Sequence, residues 1–394
     1  MFKAINSHSS DPDTIDACSE LIRQIENQNS EQLKPIAGLL FSCSAHELEL
    51  LLSEIIKSYP EIQLLGCTTD GEMTSFGGFV EGSISLTLFY SDEIEISVGV
   101  GYHASQDPLI SARQAIESAR AKLNADPVLA ITLPDGLTAH TYPMLIEMQK
   151  ILGAQVPILG GTSADEVLST KHDYHTYQFV NNELLTDSVP IMLFSGPLLF
   201  SIGVQSGWSP LGMNKVVTRE DDGQLYELDG EPPLNLYQHY LGKVITDNRA
   251  MLGSFPLAVY DEHNPDQFYL RVASNADSET GVMSFMAEVP EGSHVQLTQS
   301  IRNQVIQGVS KSVNDAMNFY PGISPTAALT FSCTGRKMAL GSKTYQEIQL
   351  AMDALPEQTT ISGFYTFGEI APLTVPGQSY YHNATFVTLL LGIA

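Results

Sequence analysis

One nine-residue signature occurs three times in this chain: Leu-Gly-Cys-Thr-Thr-Asp-Gly-Glu-Met at 65–73, Leu-Gly-Gly-Thr-Ser-Ala-Asp-Glu-Val at 159–167 and Ser-Gly-Phe-Tyr-Thr-Phe-Gly-Glu-Ile at 362–370. Each copy ends an apolar run and sets Gly, hydroxyl residues and Glu at similar offsets behind a helical pattern. A repeat of this kind constrains the fold more than local propensity does, because it shows which unit is duplicated or stacked. It also sorts residues. What recurs in every copy is architecture, and what occurs once is a candidate for function.

Unit one reads as a helix over 13–28, a strand over 36–42, and a helix that Ser44 and Glu47 open as a capping box, with Leu48, Leu51, Leu52, Ile55 and Ile56 at helical spacing. A strand at 62–65 meets the first signature, and 83–90 with 95–100 reads as a closing hairpin. Unit two repeats that order. Asp107-Pro108 supplies an N-cap and an N1 proline, 128–133 is a strand, 139–152 a helix, 156–159 a strand, and 189–194 with 199–204 a second hairpin. The two units are expected to superpose with Glu72 over Glu166. A third unit has a helix at 298–319, a strand at 327–332, a helix at 344–355 capped by Thr344 and Glu347, and a last strand at 385–391. Between them, 255–260, 268–273, 282–288 and 294–298 read as strands and as a candidate decayed fourth copy.

The polar stretch 218–233, with Pro232-Pro233, marks the expected boundary. It separates a domain at 1–215, duplicated internally over about 13–103 and 107–206, from one at 225–394. Helices alternating with apolar strands imply parallel pairing, and hairpins add antiparallel strands. The expected class is therefore α/β, with mixed sheets built from repeated helix-strand-helix-strand-hairpin units.

Charge narrows the partners. Nineteen basic against 45 acidic residues give a formal charge of −26, which opposes phosphate backbones and anionic lipid, so neither nucleic acid nor membrane is expected. Cys18, Cys43, Cys67 and Cys333 stand far apart, as free thiols in a reducing compartment do. The first residues lack a signal-peptide core, and the uncharged stretch 188–214 is broken by Pro190, Gly196-Pro197, Gly207 and Pro210. A cytoplasmic location is expected.

A glutamate present in all three signatures is expected to brace a turn, and Glu72 and Glu166 read that way. Glu369 has different company. Only the third copy carries Phe364, Tyr365 and Phe367, and only the third unit ends its first strand in Phe-Ser-Cys-Thr-Gly-Arg at 331–336, where unit one has Phe-Ser-Cys-Ser-Ala-His at 41–46. Ligands of open sheets bind beyond the carboxyl ends of parallel strands. An antiparallel last strand would bring His382 and Asn383 to that edge. Cys333, Arg336, Tyr365, Glu369, His382 and Asn383 are thus the candidate ligand-binding residues. Each has a plainer reading: Cys333 as a small core residue, Arg336 as a partner of Glu369, His382 as a loop hydrogen bonder. His172 and His175 lack a third metal ligand, and Asp221-Asp222-Gly223 lacks calcium-loop spacing. No Walker A, GxSxG, HExxH or GxGxxG motif occurs.

Taken in order, Gly-Cys-Thr-Thr-Asp-Gly-Glu at 66–72, Asp135-Gly136, Gly-Gly-Thr-Ser-Ala-Asp at 160–165, Glu-Leu-Asp-Gly-Glu at 227–231, the 331–336 and 363–372 segments and His382-Asn383 resemble the FIST family of sensory proteins. The resemblance implies N- and C-terminal FIST domains and a small-molecule ligand, with amino acids or related metabolites as the proposed class. It implies a standalone, non-enzymatic sensor that passes its state to a separate protein. Similar standalone members are haem-binding nitric oxide sensors of the NosP type, whose partner is a histidine kinase or a cyclic-di-GMP enzyme. On that resemblance alone haem b enters as a cofactor, with His382 the first choice of axial ligand and His103 the second. A colourless metabolite sensor and a cysteine enzyme using Cys333 are the alternatives.

Overall fold

The computed structural model describes residues 1–138, 141–166, 173–221, 223–246, 248–260 and 266–394. Unit one contributes β1 (Phe2–Ser9), α1 (Thr14–Gln28), β2 (Ala37–Ser42), α2 (Leu48–Ser58), β3 (Gln63–Thr68), β4 (Glu72–Thr74), β5 (Gly78–Val80) and β6 (Ile84–Ser91). Unit two contributes β7 (Glu95–Tyr102), α3 (Pro108–Arg120), β8 (Pro127–Thr132), α4 (Thr141–Leu152), β9 (Ile158–Gly161), β10 (Gln178–Val180), β11 (Glu183–Leu185) and β12 (Ser188–Ser195). Unit three opens with β13 (Leu199–Gln205). An insertion follows: β14 (Ser209–Asp221), β15 (Gln224–Leu228), α5 (Pro233–Leu241), α6 (Lys243–Thr246), α7 (Arg249–Leu252), β16 (Leu257–Tyr260), β17 (Phe268–Arg271), β18 (Ala273–Ala276), β19 (Met283–Phe285) and β20 (His294–Gln299). The unit then resumes with α8 (Arg302–Phe319), β21 (Ala327–Cys333), α9 (Thr334–Leu340), α10 (Gln346–Ala354), β22 (Thr360–Thr366), β23 (Glu369–Pro372), β24 (Ser379–His382) and β25 (Phe386–Gly392).

Three mixed six-stranded sheets share one plan, in the orders β1-β6-β2-β3-β10-β11, β7-β12-β8-β9-β23-β24 and β13-β25-β21-β22-β4-β5. In each, four strands come from one unit and include a parallel pair joined through helix, as a parallel crossover requires. The last two strands are a hairpin lent by another unit. Unit one lends β4–β5 to the third sheet, unit two lends β10–β11 to the first, and unit three lends β23–β24 to the second. Each loan covers a sheet edge that would otherwise expose unpaired backbone groups.

The glycine at the second signature position has a packing cause. A Cβ on Gly66, Gly160 or Gly363 would collide with the backbone carbonyl of Leu40, Thr132 or Thr330 on the neighbouring parallel strand. The inner faces of the three sheets then meet in one core that includes Phe41, Phe89, Leu129, Phe194, Leu329 and Phe364. Helices cover the outer faces: α1 and α2 bury Leu21, Ile25, Leu51 and Ile55, and α3 and α4 bury Ile116, Met144 and Met148. Asp13 caps α1 by accepting from Ile15 and Asp16 N–H, and Asp107 caps α3 with Pro108 inside the first turn.

Four expectations change. The segments 83–90 and 95–100 form no hairpin, because β6 already pairs with β1 and β2 and has no free edge; β7 joins the second sheet, and β12 and β13 part in the same way. The capping boxes are not formed either. Ser44 donates to Asp165 at 2.6 Å, and Thr344 donates to the Gly341 carbonyl at 2.7 Å. The insertion is no fourth copy, since its seven strands pair antiparallel throughout, with no helical crossover. Position 215 falls inside β14, and β13 and β4 are paired with strands of the chain's C-terminal part. Residues 139–140 of the expected helix lie outside the described residues. Among those described, no helix is long and apolar enough to cross a membrane.

Candidate functional site

The carboxyl ends of the three parallel pairs converge. Asp70 N–H donates to the Tyr365 carbonyl at 3.0 Å and Ala164 N–H to Thr68 at 2.8 Å, while Tyr365 N–H reaches Gly71 at 2.9 Å and Thr162 N–H reaches Gly368 at 2.9 Å. The signatures therefore bond to one another across the units. Glu72 opens β4 and Glu369 opens β23, both wholly buried. Burial pushes each carboxyl up to about 8, against the pull of its hydroxyl donors, so both are protonated at neutral pH. Glu166 is half-buried and lies outside any strand, and Val167 lies outside the described residues. Glu72 and Glu369 thus share a buried, strand-opening place that Glu166 does not have.

Arg336 does not reach a crevice. Its Nε and Nη2 donate to Glu347 Oε1 at 3.0 and 2.6 Å, Nη2 also to the Val305 carbonyl at 2.8 Å, and Nη1 to the Ser206 carbonyl. Both ions are fully buried, and the guanidinium lies over Phe386. Tyr365 and Ser332 complete the carboxylate shell, donating to Glu347 Oε2 at 2.6 and 2.7 Å. The expected Arg336–Glu369 pair is replaced because α10 swings Glu347 onto the guanidinium first. Sequence reading missed Glu347, whose spacing from Thr344 imitates a capping box. Lys337 was also missed: it is buried against Asp70 at 2.7 Å and joins unit three to unit one.

Asn383 accepts from Val272 N–H at 3.2 Å, fastening the insertion to unit three. The Cys333 thiol is buried against Glu369, and desolvation followed by that carboxyl pushes it well above its ordinary value. It is held as a thiol, not activated as a thiolate. His103, at φ +60, borders a shallow 350 Å³ depression with Tyr102, Asp107 and Gln114. His172 and Asp222 lie outside the described residues. Among those described, no group of three or more His, Cys, Asp or Glu side chains is placed to hold a metal ion.

His382 is different. It stands opposite Glu369 in the β23–β24 ladder, wholly buried, with Nε2 at 2.9 Å from the Ala371 carbonyl. A carbonyl only accepts, so Nε2 carries the hydrogen and Nδ1 is left as an acceptor; no hydrogen-bond partner among the described residues meets it. Burial, seconded by the Arg271 charge, lowers the imidazole to about 4 and keeps it neutral.

The ring borders a cleft of 710 Å³, framed by the edge of β13, the turn after β23, α8 and the insertion strand β17, with Thr385 beside His382. Its place is a seam between sheets. At the first seam Asn6 donates to the Ile361 carbonyl at 2.6 Å and Thr360 to Ala4 at 2.9 Å; His8 meets Thr74 at 2.9 Å. At the second seam Val98 N–H donates to Gln63 at 3.3 Å and Tyr102 to Glu183 at 3.1 Å. At the third, no hydrogen bond among the described residues joins β13 to β9 or β23. That seam stands open.

The FIST N domain model matches residues 37–231 and the FIST C domain model residues 233–372. Uncharacterised proteins of Mycobacterium bovis and Mycobacterium tuberculosis are each 26% identical over 268 residues, covering 65% of this chain and 66% of theirs, just short of two thirds of their length. An uncharacterised protein of Methanocaldococcus jannaschii is 32% identical over 97 residues, 24% of this chain and 18% of that one. Among solved structures, a cyanuric acid hydrolase from A. caulinodans aligns over 100% of this chain and 99% of its own at TM-score 0.36 and 9% identity, too distant to argue from.

Proposed function

Since the chain belongs to the FIST family of signal-transduction sensors, we propose that it senses a small metabolite bound in the third-seam cleft. The observation that carries this reading is the open seam itself, lined by His382, whose buried Nδ1 has no hydrogen-bond partner among the described residues. A buried polar atom without a partner is costly, and a ligand is one way to satisfy it. The cleft walls come from β13, from the hairpin lent to the second sheet and from the insertion. A ligand bridging them favours one arrangement of the three by its differential affinity. As the family resemblance implies, that arrangement is read by a separate signalling protein, a histidine kinase or a cyclic-di-GMP enzyme.

Two observations weigh against the haem and nitric oxide form of this reading. The described residues of the cleft do not fit a haem: His382 has its Nε2 engaged by Ala371, Asp266 and Asp315 lie on the walls, and no lysine or arginine is among the described lining residues to meet the propionates. His103 faces a shallow depression, not the apolar pocket that haem requires. For the enzyme form, Cys333 is a buried thiol with a raised pKa, the opposite of an activated nucleophile. The test is an absorbance spectrum of the full chain expressed with ample haem, followed by a thermal-shift screen of metabolites. We expect no Soret band, and stabilisation by a metabolite that Thr374→Trp at the cleft rim abolishes. A stoichiometric Soret band lost in His382→Ala would overturn the reading.

A further inference from the structure

The identity of the groups on the cleft wall narrows the ligand, and this inference rests on the sensor reading above. Recognition of a carboxylate needs a cation or a cluster of donors, and the arginine suited to it, Arg336, gives its donors to Glu347, Val305 and Ser206. The described lining residues include no lysine or arginine. The side-chain donors of the lining are neutral, as at Ser201, Gln267, Thr374 and Thr385, and acceptors stand beside them. His382 offers Nδ1, fixed as an acceptor by the Nε2 bond to Ala371, and Asp315 has one carboxylate oxygen on Gln205 Nε2 at 2.7 Å. The edge strand β13, paired only with β25 among the described residues, presents backbone carbonyls alternating with N–H groups. Phe200, Ile202, Phe268, Leu270 and Leu373 supply apolar surface between these points.

From this distribution we infer that the cleft takes a primary amine carried on an apolar body without a carboxylate, its ammonium donating to His382 Nδ1 and drawn by Asp315. An ammonium has three donors and no acceptor, which matches a wall whose charged groups are carboxylates, with no lysine or arginine among its described residues. Its apolar body replaces water against the aromatic and aliphatic side chains. Anionic ligands of the same shape meet the carboxylates and lack a donor for Nδ1.

The full chain is titrated calorimetrically at neutral pH with phenethylamine and hexylamine, and with the matched acids 3-phenylpropionate and hexanoate. Saturable binding of an amine, at least tenfold tighter than its matched acid, is the expected result. Asp315→Asn, on the half-buried outer wall, is expected to weaken amine binding about tenfold, the size of one charge-assisted contact. His382→Leu is expected to weaken it further, and if that variant fails to fold, Asp315→Asn carries the test alone. Preferential binding of the acids, or amine binding indifferent to Asp315→Asn, overturns the amine class while leaving the cleft reading intact. Amine binding that survives Thr374→Trp sinks the cleft itself as the site. No saturable amine binding at millimolar concentration also overturns the inference.

Discussion

Units one and three set the same acid at the same place, and they differ by the direction of one hydroxyl. Glu72 is hydrogen-bonded through one oxygen to Thr69 and through the other to Ser83, so both oxygens are satisfied, the protonated one by donating to its hydroxyl. Glu369 accepts from Thr385, the counterpart of Ser83, at 2.6 and 2.9 Å. The counterpart of Thr69 is Thr366, which donates to the Thr162 carbonyl at 2.6 Å, and Glu369 Oε1 meets no nitrogen or oxygen partner among the described residues, with the Cys333 thiol beside the carboxyl. The same two units differ at their seams, one laced by Asn6, Thr360 and His8, the other open beside His382. A repeat therefore locates function by where its copies stop matching. Sharing a residue type is weak information; sharing its hydrogen bonds is strong information.

The largest effect that can break this comparison concerns the position where unit three has Arg336 and unit one His46. Arg336→Ala leaves Glu347 buried without its cation, and we expect a loss of about 3–5 kcal/mol in urea unfolding. His46 makes a single neutral contact, to Thr14 at 3.3 Å, and His46→Ala is expected to cost about 1 kcal/mol. Equal losses would mean that the two positions are not distinguished as described.

Next in size is the pH dependence of the two acids. Each has a folded value near 8, above the ordinary carboxyl value, so the folded chain holds a proton that the unfolded chain has released. Their stabilisation is complete below about pH 4.5 and is lost as pH rises to about 8. Glu72→Gln and Glu369→Gln should each flatten that decline in unfolding midpoints measured at about pH 5, 7 and 9. At about pH 5, where both acids are protonated, the amide N–H can take the place of the carboxyl O–H, so each substitution should cost no more than about 1 kcal/mol. A pH slope unchanged in both variants would show that neither acid is protonated in the fold.

The histidines run the other way. His8 and His382 are buried and lowered to about 4, so their contribution is present above the ordinary imidazole value and is lost as pH falls through about 4. His8→Leu and His382→Leu should both blunt acid unfolding followed by circular dichroism. The smallest expected effect is at Cys333. Cys333→Ser should leave ligand binding within twofold, and alkylation of this thiol in the native chain should stay negligible near neutral pH; rapid selective labelling would favour the enzyme alternative.

Much of the local structure was legible in the chain. Asp13 and Asp107 mark helix starts that no tertiary contact overrides, and four of the insertion's strands, β16, β17, β19 and β20, fall close to their expected positions, while β14, β15 and β18 were not foreseen. Sheet membership was not legible, because which edge a strand finds free is decided by distant segments: 95–100 looks like the return arm of 83–90 until β1 and β2 occupy both sides of β6. The candidate site was half legible. His382 and Glu369 do stand opposite each other, but in the β23–β24 hairpin, which the sequence reading did not foresee, and not through the antiparallel last strand β25, which pairs with β21. Arg336 was misplaced because the carboxylate that captures it, Glu347, carries a capping pattern that satisfies the local rule and loses to a buried charge.

The reciprocal loan of hairpins has a consequence for how the chain is made. β4 and β5 leave the ribosome early, yet their partner β22 is among the last strands synthesised: Glu72 waits for Phe364. Until then the third sheet does not exist, and the early hairpin presents an open edge to solvent and to other nascent chains. Such distant pairings also slow folding, since the loop must close before any contact repays it. The same closure means that a fragment ending after unit two lacks both the sheet that receives β4–β5 and the hairpin that β9 receives. Truncation at either end therefore wounds two sheets at once, and the smallest stable piece of this molecule is the whole ring.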